Sequence, residues 1–378
     1  MDVVIVSAVD PRTPKPSGTR SYVMNIIRIL SKKGINISLI GIAHDGKLEH
    51  TDKGYNFIPI VKNGKISSYR FLFNLLIKAP FLDIPQSAII HTQRVDDTLP
   101  FIFFFRNNPK VLTAHGRGYK GEWILDKGKI ISTIIDIIEK FVIKRVDKII
   151  AVDERTKSYY VNNFPRIRDK VIMIPVGIDT EMFKPMDKIA LREKYQLNKA
   201  NKVILYVGRY KKEKGLDLLI KAFRKVQNEI PNCKLVLVGD GPEKQDLLKV
   251  TLGLELKDIV FMDPLEHDKI PEIMNCADVF ALCSLYEGMP TVVLEALACG
   301  VPVVSTDVGG VYKVVRDGKT GYIVKSRTAD AIASKLIEAL NNGHKFKENC
   351  VKMAKEYSWG KITKQIEEVY NNEILKKK

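Results

Sequence analysis

Cysteine is scarce and confined to one half of the chain. All five, Cys233, Cys276, Cys283, Cys299 and Cys350, lie in the second half, and no two form a C-x-x-C pair. Most sit inside apolar runs, so buried, reduced thiols are expected rather than a disulfide framework or a zinc ribbon. Long hydrophobic runs are missing as well. "FIFFF" (Phe101–Phe105) and "IISTIIDIIEKFVI" (Ile130–Ile143) are too short or too broken by charge to supply the roughly 20 apolar residues of a membrane span. "MDVVIVSA" carries an acid where a basic n-region would stand, so no signal peptide is expected. There is no Pro/Gly/Ser tract and no internal repeat, which argues against linkers and solenoids. The first β-branched run, Val3–Val6, leads into "SAVDPRTPKPSG" and not G-x-G-x-x-G, so the usual dinucleotide-binding opening is absent. No D-x-D triplet ends a strand, which removes the simplest way to hold a metal-bound diphosphate.

What remains is an ordinary globular composition, 45% hydrophobic and 28% charged over 378 residues, a length that favours two domains. The charge is strongly one-sided. Lys and Arg number 61 against 44 Asp and Glu, a net charge of +17. Residues 1–180 hold 28 of these cations against 17 acids, and residues 181–378 hold 33 against 27. The excess in the first half points to an anionic partner: nucleic acid, a membrane surface or a phosphorylated ligand.

Short apolar strands alternate with helix-length segments along the whole chain. Val3–Val6, "INISLIGI", Ala88–His91, Val111–His115, Lys148–Val152 and Val171–Ile174 make a first α/β series, with a helical pattern from about Thr19 to Lys33. A second series follows at Lys202–Gly208, Cys233–Gly239, Ile259–Met262, Val279–Cys283, Pro302–Thr306 and Gly321–Val324. The pattern predicts two doubly wound parallel-sheet domains, residues 1–180 and 181–356, with a closing helix over 357–378. Ligands of such sheets bind beyond the carboxyl ends of the strands, and a cleft between two such domains is the expected site.

Two blocks carry the chemistry. "CSLYEGMPTVVLEALACGVPVVSTDVGG" (residues 283–310) runs from a strand through a turn at Glu287-Gly288 into a helix that opens at Pro290. The free amides and positive end of such a helix suit a phosphate. Glu295 is a carboxylate among apolar neighbours, which must be paired or bound to hydroxyls. Taken alone, Glu287 would equally support a turn and Glu295 equally join a structural ion pair. "YVGRYKKEKGLDLLIKAF" (residues 206–223) places Arg209 and Lys214 in a loop after a strand. Two cations there can neutralise a diphosphate, though a solvated basic loop reads the same way.

With "LVLVGDGPE" (Leu235–Glu243) between them, these blocks resemble family-four retaining glycosyltransferases of the GT-B fold. The shared order is G-R-…-K-G, G-x-G-P, E-G-x-P-x-x-x-x-E-A-x-A-x-G-x-P-V and G-G-…-D-G-x-T-G, over most of residues 203–325. The resemblance implies two Rossmann-like domains facing across a cleft, the acceptor side being residues 1–180 and the nucleotide-sugar side residues 181–356. It also implies that the helix over 357–378 crosses back onto the first domain. Arg209 and Lys214 then grip the donor diphosphate, and Glu295 binds ribose. Glu287 contacts the donor sugar hydroxyls, and Gly208, Gly239, Gly241 and the stretch Gly288, Met289, Pro290 and Thr291 line sugar and phosphate.

In the first half the match is thinner. His115 in "TAHGRG" stands where a family histidine touches the donor sugar, and Gly18 in "PSGTRSYVMNII" where a glycine loop nears phosphate and acceptor. "VIMIPVGIDTEMF" resembles the family's interdomain P-N-G-I-D-x-x-x-F.

The implied activity is transfer of a hexosyl group, with retention, from a UDP- or GDP-linked sugar to a hydroxyl of a glycan or lipid-linked acceptor in cell-surface glycan or glycolipid biosynthesis. No cofactor and no metal are expected, and no nucleic acid. Peripheral contact with an anionic membrane is suggested by the basic first half and by the mixed cationic and apolar stretches Tyr69–Phe81 and Ile130–Arg145, which read equally well as ordinary amphipathic helices. The expected location is cytoplasmic, at the inner face of the membrane where such docking applies. The competing readings are a nucleotide-sugar 2-epimerase or a phosphorylase-like enzyme of the same fold, and, in another class, an inactive nucleotide-sugar or anionic-surface binding protein.

Overall fold

β-branched and aliphatic runs with no polar alternation can only be satisfied in a sheet covered on both faces, and two such sheets form. The computed structural model describes residues 1–12, 18–43, 54–62, 68–115, 129–197 and 202–375. The contacts divide the chain into one unit of Met1–Val176 with Trp359–Lys378 and a second of Gly177–Ser358.

In the first unit the strands are β1 (Asp2–Val6), β2 (Asn36–Ala43), β3 (Asn56–Lys62), β4 (Ile89–Thr92), β5 (Lys110–Ala114), β6 (Lys148–Ala151) and β7 (Val171–Met173). They form one parallel sheet in the order β3-β2-β1-β4-β5-β6-β7. Helices α1 (Gly18–Lys32), α2 (Ser68–Lys78), α3 (Val95–Phe104), α4 (Lys129–Arg145) and α5 (Glu154–Asn163) lie between the strands. Asp153 caps α5 by accepting from Thr156 N at 2.7 Å, which satisfies one of the free amides of its first turn. The one strand the sequence pattern passes over is β3. Pro59 interrupts it, and a proline is tolerated there because β3 is an edge strand whose register shifts just after the Gly41–Pro59 pair.

In the second unit, α6 (Lys188–Lys194) precedes β8 (Lys202–Val207), α7 (Leu216–Glu229), β9 (Cys233–Val238), α8 (Lys244–Gly253) and β10 (Ile259–Met262). α9 (Ile270–Asn275), β11 (Val279–Leu282), α10 (Thr291–Ala298), β12 (Val303–Thr306), β13 (Gly321–Val324), α11 (Ala329–Asn342) and α12 (Lys347–Glu356) complete it. The sheet is parallel, in the order β10-β9-β8-β11-β12-β13. α7 shows why: Leu216, Leu219, Ile220, Phe223 and Val226 recur at helical spacing and are all buried, each worth about 1.5–3 kcal/mol of transfer free energy. All five cysteines are unpaired and buried in this unit's core. Burial pushes the Cys283 and Cys299 thiols up to about 12, so they are inert.

The final helix, α13 (Trp359–Leu375), packs in the first unit. Trp359, Ile362, Ile366, Val369 and Tyr370 form its buried stripe, in one cluster with Tyr22, Val23 and Ile26 of α1. Polar anchors fix its register. Tyr370 Oη lies 2.6 Å from His91 Nδ1, and His91 Nε2 lies 2.7 Å from Thr113 Oγ1. Among the described residues no helix is long and apolar enough to cross a membrane.

Candidate functional site

In both sheets the strand order reverses beside the first strand, between β1 and β4 and between β8 and β11. Loops leaving the carboxyl ends of such a pair diverge and leave room for a ligand. In the second unit those loops are Gly208–Gly215 after β8 and Cys283–Pro290 after β11, the two blocks singled out from the sequence.

The two loops are joined by side chains and backbone. Lys214 Nζ lies 2.6 Å from Glu287 Oε1, and Ser284 Oγ donates to the same oxygen at 2.7 Å. Leu285 N donates to the Glu213 carbonyl at 2.7 Å. Ser284 is itself held from behind, because Thr306 Oγ1 donates to its carbonyl at 2.7 Å. Lys214 and Glu287 are half-buried, at 23% and 14% exposure, so the pair is screened less than a surface one. Arg209, five residues before Lys214, is exposed. Its carbonyl accepts from Tyr206 Oη at 3.1 Å, and burial together with the nearby Glu287 keeps that phenol protonated.

Pro290 stands one residue before the helix proper. α10 begins at Thr291, with Pro290 in extended conformation as its N-cap and no side-chain cap bond. The first turn therefore presents backbone amides and the positive end of the helix dipole, beside the exposed Gly288 and Thr291. Four residues on, Glu295 is only 12% exposed, and its Oε1 lies 3.8 Å from His267 Nε2. The Glu295 carboxylate beside it raises the His267 pKa. Glu287 and Glu295 thus face different partners, one toward the β8 loop and the other toward the loop after β10.

Glycines at two places shape these loops by close approach. A Cβ on Gly309, at φ +53°, would overlap the Gly288 carbonyl oxygen and crowd that of Glu287. Gly310 N donates to that same Gly288 oxygen at 3.1 Å, so the Gly309-Gly310 turn is the floor under residues 287–289. Gly239 and Gly241, after β9, admit the backbone of Gly208 and Tyr210, where any Cβ would collide. Tyr210 N donates to the Asp240 carbonyl at 2.9 Å. Gly208, Gly239 and Gly241 therefore set the position of the loop that carries Arg209.

In the first unit, Gly18 is the opening residue of α1, and residues 13–17, which precede it in the motif, lie outside the described residues. His115 follows β5 directly. Its Nε2 donates to Gln93 Oε1 at 2.8 Å, which leaves Nδ1 as the acceptor. The imidazole meets the Tyr22 ring edge-on at 4.7 Å, and burial lowers its pKa to about 4.

Sequence reasoning did not single out Ser284, Gln93, His267 or Asp97. Ser284 and Gln93 each act through a residue that was singled out, and nothing in a lone Ser or Gln marks that. Asp97, in the first turn of α3, is fully buried with no hydrogen bond to its carboxyl, 3.9 Å from Arg94 Nε. Burial pushes its pKa well up. In the "IPVGIDTEMF" segment, Asp179 Oδ1 accepts from Glu181 N and Met182 N at 3.1 and 3.2 Å and so closes a local turn. Phe183 is buried against the His267 ring at 5.5 Å. Among the described residues no group of three or more His, Cys, Asp or Glu could hold a metal ion.

Comparisons with known proteins cover both units. A family model described as Glycosyltransferase Family 4 matches residues 16–182, and one described as Glycosyl transferases group 1 matches residues 187–357. Alpha-maltose-1-phosphate synthase of Mycolicibacterium smegmatis is 31% identical over 292 residues, 69% of this chain and 72% of that protein. N-acetyl-alpha-D-glucosaminyl L-malate synthase of Bacillus anthracis is 30% identical over 201 residues, 51% of each, so the chain aligns with about half that relative's length. Among solved structures, sucrose-phosphate synthase from Thermosynechococcus elongatus superposes with a TM-score of 0.79 at 21% identity, covering 98% of both chains. Anabaena HepE in complex with UDP and glucose does so with a TM-score of 0.75 at 18% identity, covering 98% of this chain and all of that one. On these matches the chain belongs to the group 1, family-four glycosyltransferases and has their GT-B fold.

Proposed function

We propose that the protein is a retaining glycosyltransferase that moves a hexosyl group from a UDP- or GDP-linked sugar to a hydroxyl of a glycan or lipid-linked acceptor, in cell-surface glycan or glycolipid synthesis. The observation that carries this reading is the meeting of Lys214, Ser284 and Glu287 with the uncapped start of α10 at the switch point of the second sheet. A cation, a hydrogen-bonded carboxylate and a helix start side by side match a sugar joined to a diphosphate. The HepE complexes with UDP and with UDP-glucose are of the same fold.

In this reading Arg209 and Lys214 hold the diphosphate and stabilise the charge that grows as it leaves. The amides of Gly288, Met289 and Thr291 follow the phosphate and sugar, with Pro290 setting the helix start. Glu287 accepts from donor sugar hydroxyls, and Glu295 from the ribose. His115, neutral at physiological pH, contacts the donor sugar near its reacting carbon. The bond from the anomeric carbon to the diphosphate oxygen breaks, and the acceptor oxygen bonds to that carbon on the same face. The departing diphosphate takes the acceptor proton. This route needs positioning and charge stabilisation rather than a protein nucleophile or a metal ion.

The test is thermal stabilisation of the purified protein by UDP, GDP, ADP and their sugar conjugates, in EDTA. A ligand at about 100 Kd adds roughly 2.7 kcal/mol, a clear shift in Tm. One base should stabilise the wild type and fail with Arg209→Ala and Glu295→Ala. No shift with any nucleotide would sink the donor-site assignment and favour a binding role without turnover.

A further inference from the structure

α2 is apolar on two faces. Phe71 and Leu75, four residues apart, are buried in the core against β1 and β4. Phe73 and Ile77, also four apart, lie on the outer face at 64% and 53% exposure, and Phe81 in the turn that follows is 86% exposed. One face suffices to pack the helix on the sheet, and among the described residues nothing covers the outer stripe. The same holds beside it. Phe103 and Phe104 end α3, and Ile134 and Ile137 stand on α4, all four about half exposed or more. α3 packs between α2 and α4, and Phe103 stacks on Phe141 of α4 at 5.6 Å. Of the thirteen exposed large apolar side chains among the described residues, seven belong to this one helical layer. That concentration is what separates a contact surface from scattered surface apolar residues.

The rim is cationic. Arg106 follows α3, and Lys140, Lys144 and Arg145 are exposed on α4. Arg145 lies across the Phe141 ring at 3.7 Å and donates to the Phe141 carbonyl at 3.2 Å, so its charge is held at the edge of the apolar surface. Apolar rings that can enter an acyl boundary, bordered on the α3–α4 side by cations that can meet headgroups, fit an anionic bilayer. A second copy of the chain fits poorly, because both faces would bring the same cations together on molecules of net charge +17.

We propose that the outer face of α2, the Ala79–Phe81 turn, α3 and α4 is a docking surface for anionic lipid, entered by Phe73, Phe81 and Phe104 and steered by Lys140, Lys144 and Arg145. The surface stands on its own observations and does not depend on the donor-site reading.

The test is co-sedimentation of the full chain with vesicles of phosphatidylcholine alone and of phosphatidylcholine with phosphatidylglycerol. The wild type should bind the mixed vesicles, bind the neutral ones far more weakly, and release with added salt. Phe73→Ser with Phe81→Ser and Phe104→Ser should lower the partition at least about tenfold, with unchanged far-UV circular dichroism and nucleotide response. If that variant fails to fold, Lys140→Glu with Lys144→Glu, at exposed positions, carries the same expectation. Loss of nucleotide binding with vesicle binding intact would count against the enzymatic reading alone. Binding to neither vesicle overturns the proposal, as does binding that both variants retain. A dimer in sedimentation velocity that the phenylalanine variant dissociates also overturns it, in favour of self-association.

Discussion

Lys214 Nζ and Glu287 Oε1 are 2.6 Å apart, each from a different loop at the end of the second sheet. A half-buried pair of this kind contributes on the order of 1 kcal/mol, while a diphosphate offers the ammonium more negative charge than one carboxylate. Donor binding is therefore expected to draw Lys214 off Glu287 and free that carboxylate for sugar hydroxyls.

The two substitutions should then act in opposite directions on bare diphosphate. Lys214→Met should weaken nucleoside diphosphate binding by about 10–100-fold, as losing a charged hydrogen bond does. Glu287→Gln removes a competitor for the lysine and should leave that affinity unchanged or tighter, while lowering turnover of the sugar nucleotide at least about 100-fold. Isothermal titration with the diphosphate and a steady-state rate decide it; equal weakening by both variants refutes the division of roles.

Glu295 is assigned to ribose, and that role has its own signature. The wild type should prefer the ribonucleotide over its 2′,3′-dideoxy analogue by about 10–100-fold, the worth of a charged hydrogen bond. Glu295→Gln should lose most of the preference. If both proteins discriminate equally, Glu295 is only the partner of His267. That pairing is itself pH-dependent. The folded-state pKa of His267 is raised, so its contribution is full below the unfolded value near 6.5 and is lost as pH rises through the folded value.

Gly309→Ala and Gly318→Ala form a controlled pair. Both glycines have positive φ, +53° and +67°. A side chain at 318 meets nothing within 4 Å, whereas one at 309 collides with the Gly288 carbonyl. Gly318→Ala should cost only the strain of a left-handed residue, about 1–2 kcal/mol. Gly309→Ala should cost more and should also displace residues 287–289, abolishing the nucleotide-induced Tm shift. Equal losses of Tm with the ligand response intact in both would exclude the floor role of the Gly309-Gly310 turn.

Two buried histidines set the acid limit of the first unit. Burial lowers His91 to about 3, with repulsion from His115 adding to it, and lowers His115 to about 4. Both are neutral in the folded state and take up a proton near pH 6.5 when unfolded. Stability is full above that pH and declines as pH falls toward the folded values, by up to about 1.4 kcal/mol per pH unit for each histidine. Urea unfolding followed by tryptophan fluorescence should show this slope, since Trp359 lies in this unit's core. His91→Asn should remove about half of the slope; an unchanged slope would place the acid sensitivity elsewhere. By the same reasoning His115 should add no inflection near pH 6.5 to the rate profile.

The strands other than β3 were legible because each is a short, nearly unbroken run of β-branched and aliphatic residues between turn residues. β3 was not, because Pro59 is acceptable only at an edge with a register shift, and edge position belongs to the whole sheet. Glu295 was conspicuous as a charge in "VVLEALA", and Lys214 as a cation beside a glycine. His267 was not, since it pairs with Glu295 from a loop 28 residues away in the chain.

The linear chain by itself determined the two parallel-sheet halves and the sequence positions of the two chemical blocks in the second half. Alternating apolar runs and helical periodicity are local patterns, and each block's motif spacing is carried along its own strand-loop-helix unit. It also determined the positive charge and the lack of paired cysteines. Tertiary structure alone decided that Lys214 meets Glu287, that Gly309 supports Gly288, and that the last helix reaches His91 through Tyr370. It likewise decided that α2 turns Phe71 inward and Phe73 outward, a distinction composition cannot make because both are phenylalanine. Each of these depends on which loops and faces the sheet order brings side by side, and that order is a property of non-local strand pairing rather than of any stretch of sequence.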